Sequence, residues 1–389
     1  MDNFIYMDHA ATTPLKKEVL DEMYPYLTKI YANPSSLYAP ARLSKAAIDN
    51  SRDKLSLALN ASSREIYFTS GGSEADNLAI KGTALANRDK GNEIITSAIE
   101  HPAVLNTCKG LSKEGFKITY LPVNKDGFVS IQDLKKSITD KTILVSIMFA
   151  NNEIGTIQPI KEIGELCREK GIIFHTDAVQ AAGSIPIDVK SLNIDLLSLS
   201  GHKFYGPKGI GALYVRKGIK FNPLIEGGSQ ERGKRAGTEN VAGIVGLGKA
   251  IEIASHNMAE ESKRISELRD YLINGLLSID GTSLNGSWEN RLPNNVNVSF
   301  ESLEGETLLM MLDNIGICVS SGSACSSLSL EPSHVLLGIG LSEKECASSV
   351  RFTLGEENSK EQIDYVVIKV KDIVERLRNI NSNWNSIRK

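Results

Sequence analysis

Two stretches decide how this chain folds: IIFHTDAVQ at residues 172–180 and LLSLSGHKFYGP at residues 196–207. Each begins with aliphatic and β-branched residues, which are typical of a buried strand, and each ends in small and polar residues. Asp177 precedes Lys203 by 26 residues, which leaves room for one helix and a return strand. Strands that alternate with helices predict a mostly parallel sheet covered by helices.

The same alternation extends outward from these two stretches. We predict strands at Ile66–Thr69, Glu93–Thr96, Ile118–Pro122, Thr142–Ala150, Ile172–Asp177, Leu196–Ser200 and Gly211–Val215. Turn and capping residues mark the helices between them: Pro159 opens one helix that Gly171 closes, and Ser130 with Asp133 forms a capping-box pattern. The sequence therefore predicts an α/β fold with a large, helix-covered sheet.

A second, smaller α+β domain is predicted at the C-terminal side. A long helix from Val241 to Ser278 leads to strands at Val296–Phe300, Ile317–Ser320 and Val350–Leu354, and Ser359 with Gln362 caps the last helix. A chain of 389 residues is too long for one comfortable core. We divide it into residues 14–255 (large domain) and 256–389 (small domain), with residues 1–13 assigned to the small domain while packing back onto the larger one.

Composition excludes several classes of function. The chain is 41% hydrophobic and 23% charged, and its 44 basic and 47 acidic residues give a net charge of −3. No run of one sign predicts binding to nucleic acid or to an anionic membrane. No apolar stretch is long enough to span a bilayer, and the N-terminus lacks the pattern of a signal peptide, so we expect a cytoplasmic protein.

Lys203 and Asp177 are the leading candidates for chemistry. A lysine just after a strand, among small and hydroxyl residues, suits a Schiff-base amine beside a phosphate site. An acid at the end of a buried strand can keep a pyridine nitrogen protonated, which makes the ring an electron sink. The ordinary alternatives are a surface lysine in a Gly/Pro turn and an aspartate that caps a helix.

Further polar residues follow other strands. The turn TSGGSEA at residues 69–75 leads into a helix whose N-terminus could bind phosphate, although it matches no nucleotide motif. Asn151 and Asn152 follow the strand that begins at Thr142, and His101 follows the strand that begins at Glu93; a lone histidine is more often structural. All these signals fall at the carboxyl ends of strands, which is where open parallel sheets bind ligands.

Cys325 differs from the other four cysteines. Five cysteines without a CxxC pair fit neither a disulfide framework nor a zinc ribbon. Cys325 lies among small polar residues in SSGSACSSL, the setting of an exposed, reactive thiol on a mobile loop. The remaining four, which lie in helical or strand patterns, are expected to be buried filler: Cys108, Cys167, Cys318 and Cys346.

Taken together, the motifs resemble those of the cysteine desulfurases of the NifS/IscS type, in the class V aminotransferase group of fold-type I pyridoxal 5′-phosphate (PLP) enzymes. The resemblance extends over nearly the whole chain. Its motifs are DHAATTP (8–14), NPSS (33–36), TSGGSEADNLAIKG (69–82), EHPAVL (100–105), NNEIG (151–155), HTDAVQ (175–180), SGHKFYGPKGIGALY (200–214), RGKRAGTEN (232–240), SSGSACSS (320–327), LEPSHVL (330–336) and SVRFTLG (349–355).

The resemblance implies a role for each matching residue. Lys203 would hold PLP and shuttle the proton at the substrate Cα, while Cys325 would take the sulfur as a persulfide and could transiently ligate an iron–sulfur cluster. His101 would stack on the ring and could accept the thiol proton. Further cofactor contacts would come from Gly72, Ser73, Asn152, Asp177, Gln180, Ser200, His202 and, from the other subunit of a homodimer, Thr238. The substrate carboxylate would be bound by Arg351, with Asn33 and Asn152 nearby.

The resemblance predicts release of L-alanine from L-cysteine, with the sulfur passed to an iron–sulfur scaffold or another acceptor protein. Two departures are visible: Ser73 stands where many members have threonine, and Glu356 where several have arginine. Selenocysteine lyase, ordinary aminotransferase and a non-catalytic PLP-fold scaffold remain alternatives. The identity of the sulfur acceptor stays open.

Overall fold

A computed structural model describes residues 4–321 and 331–380. Within those ranges the strands are β1 Ile5–Tyr6, β2 Ile66–Thr69, β3 Glu93–Ser97, β4 Lys117–Leu121, β5 Thr142–Ser146, β6 Ile173–Asp177, β7 Leu196–Ser200, β8 Gly211–Val215, β9 Thr282–Leu284, β10 Asn295–Phe300, β11 Ile317–Cys318, β12 Ser320–Ser321 and β13 Ser349–Thr353.

In the same ranges the helices are α1 Lys17–Thr28, α2 Ala39–Ala58, α3 Gly72–Asn77, α4 Thr83–Ala86, α5 Pro102–Lys113, α6 Ile131–Ser137, α7 Ile160–Lys170, α8 Gln230–Gly233, α9 Val241–Leu277, α10 Gly305–Asp313, α11 His334–Gly338, α12 Glu343–Ala347 and α13 Lys360–Ile380. A π-helical turn, Leu78–Gly82, joins α3 to α4. Among these described helices, none is both long enough and apolar enough to cross a membrane.

The large sheet has the strand order β2-β8-β7-β6-β5-β3-β4. β8 runs antiparallel to both neighbours, β2 and β7, whereas the remaining pairs are parallel. Because β2 and β7 are both antiparallel to β8, they point in the same direction. The carboxyl ends of β2, β3, β5, β6 and β7 therefore share one edge of the sheet, as the sequence predicted for a mostly parallel sheet.

Helices cover both faces of this sheet. Its central strands β5, β6 and β7 are almost entirely buried, which explains their near-continuous aliphatic sequence. One face packs in a core with α1, α2, α7 and the first turns of α9. The other face packs in a second core with α3 and α5.

The C-terminal part folds around its own four-stranded sheet, β12-β13-β10-β9. α9 belongs to both parts: Ile251 packs in the large-domain core, and Ile265 packs in the small-domain core with α10 and α13. We propose to keep the domain boundary at 255/256, between these two residues. This placement makes α9 the helix that joins the domains.

The first described residues connect the two parts. β1 pairs in parallel with β11, and Met7 is buried in the small-domain core. Immediately afterwards the chain turns to the large domain, where Thr13 Oγ1 donates to the carbonyl oxygen of His202. Residues 8–13, which we call the N-terminal strap, thus lie between the domains.

Several predicted elements need correction at their ends. The strand predicted to run from Thr142 to Ala150 ends at Ser146, because the backbone N–H of Met148 donates to the Glu100 side chain. The strand predicted at Ile317–Ser320 divides into β11 and β12, since its two halves pair with different strands. β1 and β9 are too short to give a periodic signal, and the sequence analysis missed both.

Candidate active site

A cavity of about 220 Å³ opens at the carboxyl edge of the large sheet. It lies where the turns after β2, β3, β5, β6 and β7 meet the strap and β13. Sequence motifs that are far apart along the chain thereby contribute to one wall. The lining residues are Ala10, Ala11, Gly72, Ser73, Asp76, His101, Met148, Ala150, Asn152, Asp177, Val179, Gln180, Ser200, His202, Lys203 and Arg351.

Asp177 is the last residue of β6 and is buried. Its Oδ1 accepts a hydrogen bond from the backbone N–H of Val179 at 2.9 Å. Burial raises the pKa of Asp177, while nearby His101, the Val179 N–H and Lys203 act to lower it. A carboxylate that is this well buried requires a cationic or donor partner on the cavity side.

Lys203 lies in a single 3-10 turn that follows β7. Its Nζ donates hydrogen bonds to the carbonyl oxygens of Ala10 and Ala11, the latter at 2.9 Å. Because the same lysine lines the cavity with Asp177, the structure directs this amine into the site. The strap therefore contributes two of the contacts that hold the Lys203 side chain.

His101 caps the N-terminus of α5, and its Nδ1 accepts from the backbone N–H of Ala103 at 3.1 Å. Neutral His101 consequently carries its proton on Nε2. Burial lowers the pKa of His101, with Asp177 opposing this shift and Lys203 and His334 adding to it. A neutral imidazole with Nε2–H is suited to donate a hydrogen bond rather than to accept a proton.

The glycine turn and the residues after β7 form the polar wall of the cavity. Gly72 begins the helical segment 72–86, and a Cβ there would lie 2.6 Å from Cγ2 of Val179. Any larger residue at position 72 would therefore require the Val179 side chain to shift. His202 Nδ1 lies 3.1 Å from Thr12 Oγ1, and burial, assisted by Lys203, lowers its pKa to about 4.

Arg351, in the centre of β13, has a guanidinium that is only 1% exposed. One terminal nitrogen donates to Asp8 Oδ1 at 2.8 Å, and the other donates to the carbonyl oxygen of Asn152 at 3.0 Å. Its Nε is buried and has no hydrogen-bond partner within the part of the chain that the structure describes. This arrangement keeps a fixed cation at the cavity wall.

Two buried acids near the site were missed by the sequence analysis. Asp76 is 1% exposed, and one carboxylate oxygen lies within 4.8 Å of side-chain atoms of Asp177 and His101. Glu100 is fully buried beside His101. Both carry raised pKa values, caused first by burial. The signal in the sequence that could have identified Asp76 is its position four residues after Gly72 on the same helical segment.

Two predicted site residues do not line the cavity of the single chain. Asn33 is exposed, and its side-chain oxygen accepts from the backbone N–H of Ser35 at 2.9 Å. Thr238 is exposed as well and lies on the loop before α9. Gln180, by contrast, lines the cavity and donates to the carbonyl oxygen of Ala10 at 3.0 Å.

Cys325, the most important predicted thiol, lies outside the described residues. The other four cysteines are free thiols. Cys108, Cys167 and Cys346 are buried as predicted, and burial raises the pKa of each thiol. Cys318 is only half-buried, because it follows the fully buried Ile317 in β11 and successive strand residues project to opposite faces. Its prediction as buried filler was wrong.

The class-V aminotransferase family model matches residues 5–366 of this chain. A protein of Clostridium botulinum named cysteine desulfurase IscS is 59% identical, over 100% of this chain and 99% of that relative. The chain belongs to the cysteine desulfurases of the class-V aminotransferase family. The family and fold predicted from the sequence motifs are thereby confirmed.

Solved structures place this desulfurase in the same group. A structure titled "NIFS-LIKE PROTEIN" superposes with a TM-score of 0.91 at 39% identity, covering 96% of this chain and 100% of that one. A second structure, "SspA in complex with cysteine", has a TM-score of 0.81 at 44% identity, with 90% and 98% of the two chains covered. The desulfurase therefore shares its whole fold with these proteins.

Proposed function

We propose that this desulfurase uses PLP, bound in the cavity, to remove sulfur from L-cysteine as a persulfide on Cys325, with L-alanine as the second product. One observation carries the proposal. Three chemically distinct groups converge on a single cavity at the sheet edge: the Lys203 amine, the buried Asp177 carboxylate and the Arg351 guanidinium. Neither a surface lysine in a turn nor an aspartate that only caps a helix would explain why these three groups lie together in one cavity.

The residues that line the cavity match the chemical groups of the cofactor. Asp177 is a buried acid, and a pyridinium N–H would supply a counter-charge for it. Ser73, Ser200 and His202 line the wall that includes the glycine turn, where hydroxyl groups and helical N–H groups suit a phosphate. When bound, PLP supplies an aldehyde carbon that bonds amines and a protonated ring that accepts electrons from the substrate Cα.

Lys203 would hold the cofactor through its amine and would remove the proton from the substrate Cα. The carbonyl oxygens of Ala10 and Ala11 provide acceptors that hold its amine in reach of the cavity. Arg351 would bind the substrate carboxylate, since a planar guanidinium matches that group in two parallel hydrogen bonds. We assign to His101 the donation of a hydrogen bond from Nε2, because its Nδ1 is occupied by Ala103 N–H.

Cys325 would attack the sulfur atom of the substrate as a thiolate. A sulfur–sulfur bond forms while the substrate Cβ–S bond breaks, and the electron pair of that bond stays on the carbon skeleton that becomes alanine. The chain reaches the site on both sides of the undescribed residues 322–330. Ser320 pairs with Arg351 in the β12–β13 ladder, and His334 Nε2 lies 2.9 Å from the carbonyl oxygen of Glu100.

Chain length also supports this assignment of Cys325. Cys325 follows Ser321 by four residues in the sequence. Ser321 itself belongs to β12, which pairs with the strand of Arg351. This short separation along the sequence supports Cys325 as the thiol that acts on a substrate held by Arg351.

A homodimer would complete the site. Thr238 and Asn33 are exposed and do not line the cavity of their own chain, so we propose that Thr238 reaches the phosphate of the partner subunit. α1 and α2 offer surface for this association, with exposed apolar side chains at Leu20, Leu27 and Leu43. The persulfide would then pass, in the cytoplasm, to an iron–sulfur scaffold or another acceptor protein, and Cys325 could transiently ligate a cluster there.

The experiment compares wild-type protein with Cys325→Ser, and uses Cys318→Ala as the matched control thiol. Each protein, loaded with PLP, receives L-cysteine; alanine and sulfide are quantified, and persulfides are located by mass spectrometry. We expect Cys325→Ser to keep the visible absorption of bound cofactor and lose the persulfide, while Cys318→Ala keeps both. Sustained sulfide release by Cys325→Ser at the wild-type rate would remove Cys325 from the reaction.

A further inference from the structure

The strap contacts four of the predicted site residues, although no chemistry was assigned to its motif DHAATTP. Ala10 and Ala11 accept hydrogen bonds from Lys203, Ala10 accepts one from Gln180, and Thr12 contacts His202. The remaining contact is an ion pair between Asp8 and Arg351. This ion pair joins the carboxylate of Asp8 to the guanidinium that is proposed to bind the substrate.

The sheet register explains why Asp8 meets Arg351. Asp8 forms a parallel bridge with Thr353, and the Ala10 N–H donates to Thr353 Oγ1 at 2.9 Å. Side chains two residues apart on a strand project to the same face, so Arg351 and Thr353 share the face beside the strap. The backbone bridge to Thr353 thus delivers the Asp8 carboxylate to the guanidinium two residues earlier.

The hydrogen bonds of Arg351 fix its guanidinium as a plane. Asp8 Oδ1 accepts from one terminal nitrogen and the Asn152 carbonyl oxygen from the other. The group is planar and its donors have a rigid fork geometry, so two anchored nitrogens determine where the remaining N–H bonds point. Nε is buried and has no hydrogen-bond partner among residues 4–321 and 331–380, so within those residues this donor is available for a further acceptor.

Asp8 also balances the charge. The Arg351 side chain is 1% exposed, whereas that of Asp8 is 20% exposed. A buried guanidinium without a counter-ion would be costly. Because Asp8 is the more exposed partner of this ion pair, it stabilises the buried cation while its own carboxylate remains partly accessible to solvent.

From this geometry we propose that Asp8 is a positioning residue for substrate recognition: it fixes the plane of the Arg351 guanidinium so that its remaining N–H groups donate hydrogen bonds to the carboxylate of L-cysteine. The inference rests on the proposed function of Arg351. The alternative is that Asp8 occupies the place of the substrate carboxylate and competes with it. The positioning role predicts that loss of the Asp8 carboxylate raises KM for L-cysteine, whereas the competing role predicts that it lowers this KM.

The test measures steady-state kinetics for L-cysteine and for cysteamine, which lacks the carboxylate, in Asp8→Ala, Asp8→Asn and the exposed control Asp21→Asn. We expect Asp8→Ala to raise KM for L-cysteine by ~10-fold or more, which is the range for a hydrogen bond to a charged group, and to change kcat less than threefold (roughly 0.6 kcal/mol by the tenfold-per-1.4 scale). Asp8→Asn, which keeps the acceptor oxygen, should fall between. KM for cysteamine should stay unchanged.

Equilibrium binding of L-alanine, the product that retains the carboxylate, gives a second readout and should weaken by the same factor as KM rises. Thermal unfolding of each variant without cofactor checks that the fold is kept; Asp8→Asn serves where Asp8→Ala fails to fold. An unchanged or lower KM for L-cysteine in both Asp8 variants overturns the inference. Arg351→Lys tests the proposed role of Arg351 separately from that of Asp8. If this variant leaves KM for L-cysteine unchanged, the proposed role of Arg351 itself is wrong.

Discussion

Glu100 offers the sharpest test of the electrostatics around the site. Its carboxyl group is fully buried beside His101; one oxygen accepts from Ser97 Oγ at 2.6 Å and from Met148 N–H at 2.9 Å. The second oxygen is buried, and no described residue forms a hydrogen bond with it. Burial is the main cause that raises the pKa of Glu100 from 4.5 to about 8, and the Asp177 charge adds to it.

The magnitude follows from linkage. A glutamic acid that is harder to ionise in the folded state contributes stability that is fully present below pH 4.5 and is lost as the pH rises to about 8. At about 1.4 kcal/mol for each pH unit, the loss between pH 5 and pH 8 is on the order of 3 to 4 kcal/mol. Glu100→Gln keeps the acceptor oxygen and removes the ionisation, so this part of the pH dependence should disappear.

The assay is denaturant unfolding of cofactor-free protein at pH 5, 6, 7 and 8. The free energy of unfolding of wild-type protein should fall relative to that of Glu100→Gln by about 3 to 4 kcal/mol across this range, while the exposed control Glu289→Gln should follow the wild type. Ionisable groups that do not interact with Glu100 contribute equally to all three proteins and cancel in the differences, whereas the interactions of Glu100 with Asp76 and Asp177 belong to the measured effect. Parallel wild-type and Glu100→Gln curves would refute a neutral, buried Glu100.

Three further predictions follow from the structure. Lys203→Ala should lower kcat by ~10²–10⁴-fold, since the amine that moves the Cα proton is lost; alanine release measures it. Glu231→Gln should destabilise the protein by about 3–5 kcal/mol in denaturant unfolding, because it leaves the Arg52 guanidinium buried without its bidentate partner. Gly72→Val should weaken PLP binding by equilibrium dialysis, whereas Gly110→Ala, whose Cβ meets open space, should not.

Local patterns in the sequence were enough to predict most of the fold. β2, β7 and β8 begin and end at the residues predicted from the sequence, because strand propensity and turn residues act over a few residues. The same holds for α7, which begins after Pro159 and ends at Gly171 with a left-handed φ of 68°. Where a strand end depended on a distant partner, as at Ser146, the predicted boundary was wrong.

The sequence by itself determined that strand ends carry Lys203, Asp177 and Gly72, and its motifs determined the family. Only the tertiary structure decided which side chains meet them. Asp8 and Arg351 are 343 residues apart in the chain, and Asp76 approaches Asp177 and His101 from a different element. Such pairs depend on how the strap and the two sheets pack, and burial then sets their pKa values, so no local pattern could have predicted them.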